Sequence, residues 1–124
     1  MTIYTVKEVF GMLNKECLVH ISTVMDAAKN IWGYLDWKIT DIEIIDAPFG
    51  AFNMTIRIRD RFDVMMEYEK SIWAIAVKVN GQYIWLSDLT NKHVIELDDT
   101  NKRSSLIHNF KILNQVLHSM ENRT

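Results

Sequence analysis

The stretch Ile72–Ser87 reads IWAIAVKVNGQYIWLS, and its centre is the dipeptide Asn80-Gly81. A two-residue type I′ turn needs positive φ at both central positions, which asparagine and glycine tolerate best, so Asn80-Gly81 predicts a hairpin. That turn sets a register: Val79 faces Gln82, Val77 faces Ile84, Ala76 faces Trp85 and Ile75 faces Leu86. Trp73, Ile75, Val77, Val79, Ile84 and Leu86 then share one face, which is apolar enough to demand burial. The other face carries Ile72, Ala74, Ala76, Lys78, Tyr83, Trp85 and Ser87, a mixture of small, aromatic and polar groups.

The period-2 alternation extends upstream of the hairpin. Ile42 and Ile44 alternate with Asp41 and Glu43; Met54, Ile56 and Ile58 with Thr55, Arg57 and Arg59; Phe62, Val64, Met66 and Tyr68 with Asp63, Met65, Glu67 and Glu69. Breaks at Pro48-Phe49-Gly50, Arg59–Arg61 and Lys70-Ser71 are too short for parallel crossovers, so the strands are expected to form an antiparallel meander in order 1-2-3-4-5. Parity must keep the apolar positions on one face. The expected inner rows are Ile42–Ile56–Val64–Val77–Ile84 and Ile44–Met54–Met66–Ile75–Leu86.

Both flanks read as helix. Thr5 and Glu8 have capping-box spacing, and Val6, Phe10, Leu13, Cys17, Ile21, Val24, Ala28 and Ile31 recur at three and four as one helical stripe. Gly33 is the expected stop, and Ser22-Thr23 ahead of Asp26 leaves room for a break near His20. Leu106, Phe110, Leu113, Leu117 and Met120 form a second stripe, preceded by Asp98 and Asp99, where a helix dipole favours negative charge. Between sheet and helix, Val94-Ile95 and Leu97 read as an extra edge strand or an irregular connection. The expected fold is a two-layer α+β domain spanning residues 1–124: helix over 5–32, strands over 38–46, 52–59, 62–69, 72–79 and 82–88, helix over 101–120. Both helices pack on the apolar face and leave the other open.

Composition limits the function classes. The 124 residues are 48% hydrophobic and 24% charged, ordinary values for a soluble domain. A net charge of −2 provides neither the basic face of a nucleic-acid binder nor the acidic excess of a DNA mimic. A single cysteine, Cys17, excludes an internal disulfide and fits a reducing compartment. No basic segment precedes a long apolar run, and no apolar stretch approaches the ~18 residues of a membrane span. A cytoplasmic protein is the resulting expectation.

Local chemistry motifs are sparse. Cys17 and His20 lie on neighbouring positions of the first helix, but His93, His108 and His118 do not complete a zinc-ligand spacing. A cysteine within an apolar stripe reads as buried and inert rather than nucleophilic. Asp46, Tyr68 and Asp88 fall near one end of the inner face, where acids beside a tyrosine could do acid–base work. Phosphate-loop, GxSxG, HExxH, CxxC and EF-hand patterns are missing. No cofactor, metal or catalytic residue is expected.

The predicted outer face has a charged row, Asp41–Arg57–Asp63–Lys78, ending at Tyr83. Beside it runs Glu43–Thr55–Met65–Ala76–Trp85, flanked by Ala74 and Ile72. An apolar centre, a charged rim and an aromatic anchor describe either a protein-binding patch or a second small core covered by a helix or by the Asp88–Asn101 segment. The expected contact residues of the patch are Asp63, Met65, Glu67, Glu69, Ala74, Ala76, Tyr83 and Trp85, with the acids complementing a basic partner. The leading expectation is a non-enzymatic protein that inhibits, neutralises or escorts a protein partner, as immunity proteins and phage or mobile-element inhibitors do. Two alternatives stand beside it. One is a small-ligand protein or minor enzyme with a pocket lined by Asp46, Tyr68, Trp73 and Asp88. The other is a homodimeric structural subunit paired through the same face.

Overall fold

In the computed structural model, residues 15–46, 51–69, 72–96 and 102–122 are described. Element order is α1 (Lys15–Trp32), β1 (Trp37–Asp46), β2 (Ala51–Ile58), β3 (Phe62–Glu69), β4 (Ile72–Val79), β5 (Gln82–Trp85), the short helix α2 (Leu86–Leu89) and α3 (Lys102–Glu121). The strands form one antiparallel sheet in order β1-β2-β3-β4-β5. This is the expected α+β meander with a helix before and a helix after it. Thr5, Glu8, Val6, Phe10, Leu13, the Pro48 loop, Lys70-Ser71, Asp98 and Asp99 lie outside the described residues.

The central hairpin forms as its turn chemistry requires: Asn80 and Gly81 have φ of 51° and 83°. The registers of β2 through β5 follow from it. Ile56 faces Val64, Met66 faces Ile75, Tyr68 faces Trp73, Val77 faces Ile84 and Ala76 faces Trp85. Of these, Ile56, Val64, Met66, Tyr68, Trp73, Ile75 and Val77 join the buried stripes of α1 (Cys17, Ile21, Val24, Ala28) and α3 (Leu106, Phe110, Leu113, Leu117) in one hydrophobic cluster. Both long helices therefore cover the same side of the sheet. Trp32 Nε1 donates to Asn114 Oδ1 at 3.0 Å, and Asp26 pairs with Arg103. Contacts advance together along the two helices, so they run parallel. Gly33, with φ of 74°, ends α1 by donating to Lys29 O at 2.9 Å. Over the described residues α1 is continuous through His20.

Two expectations are corrected. First, β1 is shifted by two residues against β2: Ile42 faces Met54 and Asp41 faces Thr55, not Ile56 and Arg57, while Ile39 faces Ile56 and Lys38 faces Arg57. The ladder is interrupted between Ile39 and Asp41 and between Ile44 and Asp46. A bulge adds a residue to one strand, and the skipped Thr40 is buried with its Oγ1 donating to Thr55 O at 3.3 Å. Ile44 faces Phe52 but is exposed, and the row that it was to close, Met54–Met66–Ile75, is closed by Ile42 instead.

Second, β5 stops at Trp85 and the chain turns into α2, which carries Ser87 and Asp88 out of the sheet. Leu86 nevertheless remains fully buried. The β2–β3 turn falls at Arg59–Arg61 as expected, and it uses no glycine. Arg59 and Asp60 both adopt positive φ, 55° and 53°, a conformation costing an ordinary residue about 1–2 kcal/mol. Its anchors come from outside the hairpin. Arg59 N donates to Asp36 O at 2.7 Å, its guanidinium reaches Glu121 at 2.9 Å and Asn114 at 3.1 Å, and Lys38 pairs with Asp60 at 2.8 Å.

Candidate functional site

The outer face follows from the observed register. One row reads Lys38–Arg57–Asp63 and continues to Lys78 and Tyr83; the next is Asp41–Thr55–Met65–Ala76–Trp85; the third is Glu43–Asn53–Glu67–Ala74; and Glu69 stands opposite Ile72 at the end of the β3–β4 pair. Since α1 and α3 both belong to the cluster on the inner side, neither covers these rows. Ile72, Tyr83 and Trp85 are 49%, 41% and 44% exposed, unusually open for large apolar and aromatic side chains grouped on two neighbouring strands.

The eight expected contact residues do not contribute equally. Tyr83 and Trp85 are open, Glu69 is exposed, and Asp63, Met65, Glu67 and Ala74 are half-buried. Ala76 is only 1% exposed, so it forms the floor and offers little surface of its own. Burial of Tyr83 raises its phenol above the ordinary value of 10.0; the nearby Asp63 carboxylate adds to the rise and the Thr55 side chain opposes it. The Lys78 ammonium lies 5.9 Å from the centroid of the Tyr83 ring.

Charge divides the face into two ends. At the Lys38 end, cations and anions are matched: Lys38 with Asp60 at 2.8 Å and Arg57 with Asp63 at 4.0 Å. The alternating Asp41–Arg57 pair expected there does not form, because the β1 shift puts Lys38 beside Arg57. At the opposite end, Asp41, Glu43, Glu67 and Glu69 take part in no ion pair among the described residues. Ile72 and Ala74 lie beside this acidic end.

The edge of β4 beyond β5 is completed by chain from far ahead. Trp73 N donates to Glu96 O at 2.7 Å, which places Val94–Glu96 where a longer β5 would run. Fully buried Asn109 of α3 holds that segment with both halves of its amide: Ile95 N donates to Oδ1 at 2.8 Å, and Nδ2 donates to Ile95 O at 2.7 Å. His108 Nε2 lies 2.8 Å from His93 O beside it. Between Trp85 and this segment lies a groove of about 240 Å³, lined by Ile72, Trp73, Ala74, Ser87, Val94 and Glu96 among others. Ile72, Val94 and Glu96 were outside the expected contact set.

The residues weighed for chemistry sit elsewhere. Cys17 is buried in the α1 stripe, and the His20 ring stacks 4.1 Å from Tyr68, itself 4.6 Å from Trp73. Tyr68 and Trp73 fill the core with Phe52 rather than opening a mouth between sheet and helices. Asp88 is exposed on α2 whereas Tyr68 is buried, and the side chain of Asp46 is not among those described. Among the described residues, no three histidine, cysteine or acidic groups gather as a metal site, and no helix is long and apolar enough to cross a membrane. The chain matches no protein-family model, no curated protein and no solved structure.

Proposed function

We propose that this protein acts by binding another protein through the open face of its sheet, as an inhibitor, neutraliser or escort rather than as an enzyme. The observation that carries the reading is the grouping of Ile72, Tyr83 and Trp85, large and about half exposed, on a face that neither long helix covers. Aromatic anchors over an apolar floor, with charge around them, are the usual composition of an interface hot spot. The location of Cys17 and Tyr68 inside the core favours packing roles for both.

Capture from the source cell's lysate tests the proposal, with tagged wild type beside a folded Trp85→Arg variant. A stoichiometric protein retained by wild type and lost by the variant supports it. Equal retention by both, or a small molecule that raises the melting temperature in place of any protein, refutes it.

A further inference from the structure

We infer that the groove beside Trp85 receives one large apolar side chain of the partner, presented between lysines or arginines. This inference rests on the proposed protein-binding role and adds the chemistry of what binds. β5 covers only Gln82–Trp85 while β4 runs Ile72–Val79, so the groove exists because one strand stops early and Val94–Glu96 completes the edge. Its roughly 240 Å³ falls below the about 300–1,000 Å³ of small-molecule sites and suits a leucine or aromatic side chain. Ile72, Ala74, Trp85 and Val94 give it apolar walls.

Charge complementarity identifies the flanks. Glu67 stands opposite Ala74 and Glu69 opposite Ile72, on the β3 side, while Glu96 stands on the far wall. None of the three makes an ion pair among the described residues. The cations Lys38 and Arg57 belong to the other end of the face, where Asp60 and Asp63 match them. A segment arriving with an apolar anchor therefore meets, on both sides, carboxylates that no cation among the described residues pairs, and basic flanks satisfy them.

Three synthetic peptides test this by amide NMR titration of the full chain: Lys-Lys-Phe-Lys-Lys, the same peptide with glycine at its centre, and Glu-Glu-Phe-Glu-Glu. The lysine–phenylalanine peptide is expected to shift the amides of Ile72, Ala74, Trp85 and Val94 saturably. The other two should bind at least about tenfold more weakly, about 1.4 kcal/mol. Ala74→Tyr, which fills the groove, should abolish the response. If that variant does not fold, Glu67→Lys with Glu69→Lys serves instead and should reverse the preference toward the glutamate peptide. No saturable shift, equal response to all three peptides, or a dimer of the chain that occupies the groove overturns the inference. A protein partner lost by Trp85→Arg yet indifferent to Ala74→Tyr and to the glutamate reversals also overturns it, while leaving the proposed function standing.

Discussion

Asn109→Leu should destabilise the protein by about 2–4 kcal/mol and release the Val94–Glu96 segment. Leucine keeps most of the side chain's volume but removes both hydrogen bonds to Ile95, at 2.8 and 2.7 Å. Two such bonds are worth roughly 1–3 kcal/mol net, and the exposed alternative is poor because Asn109 is fully buried. Ile95 is half-buried, so water replaces part of what is lost and keeps the total below the sum of two orphaned groups. With a urea m-value of about 2 kcal/mol/M, the unfolding midpoint falls by about 1–2 M. Hydrogen exchange supplies the local readout. The amides of Ile95 and Trp73, whose acceptors are Asn109 Oδ1 and Glu96 O, should lose protection more than those of the central strands. A stability loss below about 1 kcal/mol, with Ile95 exchange unchanged, would refute the clamp.

Other perturbations follow from the same geometry. Asp60→Val places a β-branched residue at φ 53° and should cost about 1–2 kcal/mol in urea unfolding, whereas Asp60→Asn should be near neutral. Arg59→Ala removes the links to Glu121 and Asn114 that hold that turn; a loss of about 1–2 kcal/mol, largely absent when Glu121 and Asn114 are already alanine, is expected from a mutant cycle. Tyr83 titrates above 10.0, because folding favours its neutral phenol. Its contribution is complete below that value and is lost as pH rises through the folded-state pKa, so wild type should lose stability relative to Tyr83→Phe in alkaline solution and not at neutral pH.

Much of the sheet is legible in the sequence because Asn80-Gly81 pins one register and short turns pass it from β5 back to β2. The relation breaks at β1 for a definite reason: a shift of two residues leaves every side chain on its original face, so apolar alternation cannot detect it. The bulge at Thr40 has no glycine or proline to announce it. Nor does the left-handed turn at Arg59-Asp60, where Asp36, Asn114 and Glu121 add to the local bond from Arg61 N to Ile58 O. Leu86-Ser87 fits the strand pattern and the helical turn equally well. Trp85 and Tyr83 were readable as outward-facing from parity alone. The groove beside them was not, because its far wall is placed by Asn109, a residue whose polar side chain looks like an ordinary surface position of the α3 stripe.

Stability and partner affinity, measured together on Trp85→Ala, decide whether the open sheet face binds a protein. Binding should weaken by about 2 kcal/mol or more, roughly 30-fold, with unfolding still cooperative and stability within about 1 kcal/mol of wild type. A large loss of stability with partner affinity unchanged would contradict that role and make Trp85 a structural residue of β5.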